Sequence, residues 1–249
     1  MNFLKYRGAW LFANVCGRRL PLETFGKGTR VLMFHDVSEG PSTGDIYSVP
    51  RDLFTRQIQL LASWAESNKI PFIPLNSKQR GGIAVTFDDG YKSTLAIAEP
   101  LLREFGIPFH VFVSRELIES GLNQYLNRQD VRLLAKCAGV ELGTHGHSHC
   151  RLTSLDDESL QQHLSESRLW LEELTGREIT SMSYPFGDYD ERVVAISQRC
   201  GYRHAACSKS GTYTETTQDY WIPRIDIWAH DSPRTVIDKT AGNWDVLMR

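Results

Sequence analysis

The chain has no block of like charge. Its 28 Lys and Arg stand against 30 Asp and Glu, a net −2 spread along the sequence. That balance removes the electrostatic case for nucleic acid or an anionic membrane as the main partner. Paired cysteine motifs are also missing. The five cysteines (Cys16, Cys137, Cys150, Cys200, Cys207) are odd in number and show no C-x-x-C spacing. They fit reduced thiols in a cytosolic protein better than a disulfide framework. There is no low-complexity stretch, no Pro/Gly/Ser linker and no repeat. At 249 residues the chain holds one large α/β domain or two small ones, with a sizeable core. A long apolar N-terminal run is lacking too. Met1 to Cys16 carries Lys5 and Arg7, then the short run Ala9-Trp10-Leu11-Phe12-Ala13, with Arg18 and Arg19 behind it. The run is too short to span a bilayer and has no small-residue cleavage site, so no signal peptide is evident. Residues 1–28 are read as a helical extension that packs on the domain or touches a membrane surface weakly. The expected address is the cytoplasm, membrane-peripheral at most.

What is present is alternation. Thr29–Val37 is β-rich, and Pro50 and Asp52 open a helical pattern with Leu53, Phe54, Ile58, Leu61 and Trp64 on one side. The Ile83–Phe87 strand leads to a helix near Ser93–Phe105, then a Phe109–Val113 strand. Asp130–Cys137 reads as helix and Val140–Gly143 as strand. Ser154 is expected to cap a long helix carrying Leu160, Leu164, Leu171 and Leu174, stopped by Gly176. Ile179–Tyr184 is strand-like, Glu191–Cys200 helical, Tyr202–Cys207 strand-like and Ile222–Trp228 the last strand, with a helix after Ser232. Such alternation argues for a parallel sheet with helical crossovers. Its six or seven units predict an α/β fold over residues 29–249, a distorted (β/α) barrel of about seven parallel strands, closed or incomplete, with a doubly wound open sheet as the alternative. Active sites of such barrels lie at the C-terminal strand ends. His35, Asp88, Asp89, His145, His149, Tyr184 and Arg224 all follow apolar runs.

The chemistry concentrates in two segments. Thr86-Phe87-Asp88-Asp89-Gly90 ends a buried strand in adjacent carboxylates, which are costly to desolvate unless a cation or proton lies between them. Thr144-His145-Gly146-His147-Ser148-His149 follows another strand. One carboxylate and two imidazoles hold a divalent metal with positions left for water and substrate, and the second carboxylate is free to take a proton. In an extended segment His145, His147 and His149 share a face, whereas a helical turn pairs only His145 with His149. Cys150 follows His149 directly, but the carboxylate and imidazoles suffice without it.

Thr-Phe-Asp-Asp-Gly at 86–90, Gly-Thr-His-Gly-His-Ser-His at 143–149, Leu-Thr at 152–153 and Tyr-Pro-Phe-Gly at 184–187 together resemble the polysaccharide deacetylase family. This is the NodB-homology domain of carbohydrate esterase family 4. Phe34-His35-Asp36-Val37 resembles a segment of its poly-N-acetylglucosamine deacetylase branch. The resemblance implies Asp88 as general base, Asp89, His145 and His149 as metal ligands, and the Phe186 backbone N–H as oxyanion donor. His35, Tyr184 and Trp221 are expected in the substrate pocket. The general acid is His230, in Ile227-Trp228-Ala229-His230, or His35. The family's third motif usually begins with an arginine that orients the catalytic aspartate, and here that position is Ser183. Arg224, in Trp221-Ile222-Pro223-Arg224-Ile225-Asp226, is expected to replace it; the alternative is a surface Arg224 paired with Asp226.

The implied function is metal-dependent removal of an N-acetyl group from a sugar, glycan or glycolipid. Zinc is the default ion, with cobalt, nickel or iron also suited to two histidines and a carboxylate. The rival readings are an amide or ureide hydrolase on small non-sugar substrates and a carbohydrate-binding pseudoenzyme. An iron oxygenase with a facial triad is weaker, because it gives Asp88 no work. Nothing in the sequence specifies an oligomeric state.

Overall fold

Five-residue runs such as Ile83–Phe87 and Phe109–Val113 are buried at every position. Continuous burial of β-branched and aromatic residues marks strands covered on both faces, as in parallel sheets. In the computed structural model, which describes residues 28–40, 44–77 and 81–245, these and five further strands form one parallel sheet. They are β1 (Arg30–Phe34), β4 (Ile83–Phe87), β5 (Phe109–Val113), β6 (Val140–Thr144), β7 (Ser181–Ser183), β8 (His204–Ala206) and β9 (Ile225–Asp226). Their order is β8-β7-β6-β5-β4-β1-β9. Register runs through Phe34 opposite Phe87 and Val113 opposite Thr144. Ile222, just before β9, makes a parallel bridge to Ala206 of β8, with Cys207 N–H donating to the Ile222 carbonyl at 2.9 Å. One segment therefore meets both edges of the curled sheet, as a (β/α) barrel requires. A separate parallel pair, β2 (Asp36–Ser38) with β3 (Ser48–Pro50), follows β1. The helical extension expected over residues 1–28, with its weak membrane contact, lies outside the described residues but for Gly28.

The helices follow from their apolar spacing. α1 (Arg51–Ser67) buries Phe54, Ile58, Leu61 and Ala65, one face at three- and four-residue steps. It packs against α7 (Pro233–Thr240), whose cap is the Ser232 side chain accepting the Thr235 N–H. α2 (Glu99–Glu104) is entered through a π turn over Thr94–Ala98, so the expected Ser93–Phe105 helix is not regular. α3 (Arg115–Glu119) and α4 (Arg128–Leu134) follow, the latter with a capping box between Asn127 and Asp130. α5 (Asp157–Thr175) is capped by Asp156, whose side chain accepts the Ser159 N–H, and it ends at Gly176 with φ 69°. Ser154 is thus not its cap; it closes a single 3-10 turn, Leu152–Ser154, and donates to the Arg151 carbonyl. Asp156 with Asp157 and Glu158 places acid at the positive end of the helix dipole, where a serine two residues earlier would not. α6 (Glu191–Arg199) crosses from β7 to β8. Among the described residues no helix is long and apolar enough to cross a membrane.

At the opposite end from the strand C-termini, Arg30 is fully buried. It donates to the Lys239 and Thr240 carbonyls at 2.9 and 3.0 Å and pairs with Asp245 at 2.6 Å. The guanidinium thereby satisfies carbonyls at the C-terminus of α7, the end that attracts cations.

Candidate active site

The two aspartates after β4 separate because their backbones differ. The Asp88 N–H still donates to the Phe34 carbonyl at 3.0 Å, so it extends the sheet. Asp89 turns to φ 71°, a left-handed conformation that Asp tolerates better than most residues. Gly90 follows at φ 83°, where a Cβ would lie 2.9 Å from Ile118 Cδ1. One carboxylate is thus directed into the barrel network and the other toward the histidine loop.

Asp88 is 2% exposed and meets a 1% exposed Arg224. Nη1 and Nη2 of Arg224 donate to Oδ1 and Oδ2 of Asp88, each at 2.7 Å. This is the bidentate fork that a guanidinium alone provides. Ser183 Oγ donates to Asp88 Oδ2 at 3.0 Å and accepts from Arg224 Nη2 at 2.6 Å. Arg224 Nε donates to the Cys207 carbonyl at 3.0 Å, and the guanidinium lies 5.6 Å from the Phe112 ring centre. Phe112 in turn explains Gly143, where a Cβ would sit 2.6 Å from that ring. Burial alone would raise the Asp88 carboxyl, but Arg224 and then His145 outweigh it and hold it well below the usual range. The surface pairing of Arg224 with Asp226 is excluded by Arg224's burial.

Asp89 Oδ1 is buried and makes no hydrogen bond, yet His149 Nε2 lies 3.2 Å away and His145 Nε2 3.4 Å away. These three ligand atoms form the one group of three or more metal-ligating side chains found among the described residues. His145 Nδ1 lies 2.9 Å from the Ser183 carbonyl. Only a protonated Nδ1 satisfies that carbonyl, which turns the Nε2 lone pair toward the cluster. Burial lowers His145, so it is neutral and able to ligate. Burial also works against a charged His149, but the Asp89 carboxylate outweighs it and raises the imidazole. A proton and a metal compete for that place. An orphaned carboxylate oxygen facing two imidazole lone pairs fits a divalent cation. His147 is turned out of the cluster, its Nδ1 3.3 Å from Glu166. The extended arrangement that would have aligned all three histidines does not form.

A sequence model of the polysaccharide deacetylase family matches residues 76–205, just over half of the chain. The chain belongs to the polysaccharide deacetylase family. YxkH of Bacillus subtilis is 23% identical over 203 residues, covering 79% of this chain and 70% of that protein. The poly-beta-1,6-N-acetyl-D-glucosamine N-deacetylase of Staphylococcus aureus is 21% identical over 199 residues, covering 72% and 67%. Among solved structures, Streptococcus pyogenes deacetylase PplD in complex with acetate aligns with TM-score 0.72 and 20% identity, over 86% of this chain and 98% of that one. IcaB from Ammonifex degensii aligns with TM-score 0.72 and 19% identity, over 88% and 98%. At those identities the structures establish the shared fold.

Within this deacetylase the remaining expected residues are placed unevenly. His35 follows β1 directly, packs on Tyr47 with ring centres 4.5 Å apart, and acts electrostatically on both Asp88 and Asp89. His230 lies on the Trp228 ring beside Asp231 and Lys239. Phe186 is 56% exposed, its ring centre 4.6 Å from that of His149. It adopts φ 59°, a left-handed strain that a non-glycine residue tolerates where function demands it. Tyr184 requires a correction. It is 0% exposed, stacks on Tyr189 and donates its hydroxyl to the Tyr220 carbonyl at 3.1 Å, so it has no surface for substrate. Trp221 packs near Tyr189 at 6.1 Å and stays 36% exposed.

Sequence reasoning missed two groups here. Ser183 registered only as a lost arginine, although its hydroxyl joins Arg224 to Asp88. Asp226, expected only as a surface partner, is largely buried, which raises its carboxyl, with His35 and Arg224 opposing. Its approach to His35 comes from the pairing of β9 with β1, which spacing in the sequence could not supply.

Proposed function

We propose that this polysaccharide deacetylase hydrolyses the acetamide of an N-acetylated amino sugar in a glycan or glycolipid, with a divalent metal held by Asp89, His145 and His149. Zinc suits the mixed nitrogen and oxygen donor set best, and cobalt, nickel and iron fit it too. The observation that carries the reading is the pair of neighbouring carboxylates with opposite environments. Asp89 Oδ1 faces two imidazoles, while Asp88 is locked by Arg224 and Ser183.

When bound, the metal would acidify water and polarise the acetyl carbonyl. Asp88 takes the proton from the attacking water. A carboxylate has about four lone-pair positions, of which Arg224 uses two and Ser183 one, leaving one on Oδ1 for that proton. Its ion pair keeps Asp88 ionised and oriented, at the cost of basicity. The water oxygen bonds to the carbonyl carbon, and the Phe186 backbone N–H is assigned to the developing oxyanion. The C–N bond then breaks, and His35 supplies the proton that the departing amine needs. Acetate and a free amino sugar are the products. His35 is preferred over His230 because it stands beside both aspartates. The partly exposed Phe186 and Trp221 are the aromatic surfaces left for sugar once Tyr184 is removed. A cytoplasmic address belongs to the same proposal, supported by the free thiols Cys137, Cys150, Cys200 and Cys207 and tested by cell fractionation.

The test is mass spectrometry for loss of acetyl from poly-β-1,6-N-acetylglucosamine oligomers, lipid-linked N-acetyl sugars and cyclic amides, with and without chelator. Chelator-sensitive acetyl loss from a sugar is expected. Turnover confined to the cyclic amides would overturn the reading.

A further inference from the structure

His145 and His149 reach one centre only because the residues between them double back. Gly146 takes φ 81°, and the turn it makes is gripped from two sides. On one side stands the start of α3. The Glu116 N–H donates to the His147 carbonyl at 2.8 Å, and the Arg115 N–H to the Gly146 carbonyl at 3.3 Å. On the other side stands α5. His163 Nε2 accepts the His147 backbone N–H at 2.8 Å. A Cβ at Gly146 would lie 2.6 Å from that same Nε2, so the imidazole fills the space that glycine leaves. One turn further along α5, Glu166 stands 3.3 Å from the His147 ring nitrogen. One helix face thus holds His147 by backbone and by side chain, which is why it is not among the metal-facing histidines.

We infer that His163 is a positioning residue for the metal-ligand loop. Its Nε2 accepts the His147 N–H and fixes the turn that presents His145 and His149 to Asp89. The inference rests on the reading of Asp89, His145 and His149 as metal ligands. His163 touches neither those ligands nor the reacting atoms, so it acts only through the loop. Accepting at Nε2 requires the neutral ring with its proton on Nδ1. Burial and then the neighbouring His147 lower the ring to about 4, against Glu166, so the acceptor persists at neutral pH. A buried or half-buried backbone N–H deprived of its acceptor is a costly arrangement that the loop would relieve by moving. Partners standing behind metal ligands are commonly worth about 10–100-fold in metal affinity, and one acting a step further out belongs at the low end of that range.

The experiment is zinc affinity of the full chain, stripped with chelator and titrated against a chromogenic competitor, for the wild type and three variants. His163→Leu keeps bulk and loses the acceptor, and should weaken zinc binding by about tenfold. His163→Gln places an amide oxygen where Nε2 was, and should return the affinity close to wild type. His163→Asn is one carbon too short to do so and should resemble Leu. Unchanged affinity in the Leu variant, or a Gln variant as weak as Leu, or an Asn variant as good as Gln, would each overturn the inference. Should the Leu variant fail to fold, the Gln and Asn variants decide alone by the same criterion. A wild-type chain that binds no zinc or other divalent ion would refute the metal site itself, a failure separate from these.

Discussion

Replacing Arg224 by Met tests the centre of the site, because it keeps the aliphatic length and deletes the charge and all donors. The wild-type pair is bidentate at 2.7 Å, with both side chains nearly inaccessible. Removing one partner of a buried pair leaves an uncompensated charge and costs about 3–5 kcal/mol of stability. Asp88 relieves part of that cost by taking up a proton. Burial raises its carboxyl, and Arg224 is the leading influence that lowers it. Each tenfold gain in proton affinity corresponds to about 1.36 kcal/mol. Without Arg224 the ionised base persists only at higher pH, so the acid limb of the rate–pH profile should move up. At neutral pH, turnover should fall by about the 10²–10⁴-fold associated with a misplaced general base. Metal content should stay near wild type, because Asp89, His145 and His149 are untouched. The assays are acetate release across pH, metal content by mass spectrometry and urea unfolding. Adding Asp88→Asn to Arg224→Met should recover stability without recovering turnover, since the amide carries no charge to strand. Arg224→Met with wild-type rate and pH profile would refute the assignment of Arg224 to Asp88.

Asp89→Ala, His145→Ala and His149→Ala should each lose most bound metal, while His147→Ala, whose ring faces Glu166, should retain it; metal content after dialysis checks this, and the reverse pattern for His147 and His149 would show the register to be wrong. Asp88→Asn alone should keep metal and lower acetate release by about 10²–10⁴-fold, and a near wild-type rate would remove Asp88 as the base. Asp231 and Lys239 pair at 2.5 Å with neither side chain accessible, so Asp231→Ala should cost about 3–5 kcal/mol in urea unfolding; a change within error would mean that Asp226's carbonyl and the Trp228 ring suffice for the ammonium. His163 sits at about 4 in the folded chain against 6.5 unfolded. The unfolded state therefore binds the extra proton, and stability should fall as pH drops from 6.5 toward 4. In His163→Gln that part of the slope should vanish.

The candidate metal cluster was legible in the sequence because ligand chemistry demands particular atoms, and strand ends place them. Asp89 after β4 and His145 after β6 needed only the apolar runs before them and the rule that barrel sites gather at strand C-termini. The choice of His149 over His147 was a different kind of problem. It depends on α5, whose His163 and Glu166 lie many residues further on, and no local pattern announces which helix face will meet a loop. Tyr184 failed for the same reason. An aromatic beside a motif is equally good as pocket wall or as core, and packing against Tyr189 and Tyr220 decides it. Ser154 and Asp156 are both good caps by type, and only the backbone entry to α5 separates them.

Position 183 shows how a departure from a family pattern becomes interpretable once distances are known. An arginine is usual there, yet Ser183 Oγ lies 2.6 Å from Arg224 Nη2 and 3.0 Å from Asp88 Oδ2. A second guanidinium on β7 would occupy the space that the first one, arriving from the β9 segment, already fills. A second buried guanidinium would also add a desolvation cost that the one carboxylate, already forked to Arg224, is poorly placed to offset. An arginine at 183 and Arg224 in this orientation are therefore alternatives, and the serine is the residue that makes the second one workable. Its hydroxyl is small enough to leave the fork room. It accepts from the guanidinium and donates to the carboxylate, so that no polar atom of the triad is left unpaired. The same positive charge reaches Asp88 from another strand, and the requirement kept is the chemical one, an oriented and ionised carboxylate beside the Asp89, His145 and His149 cluster.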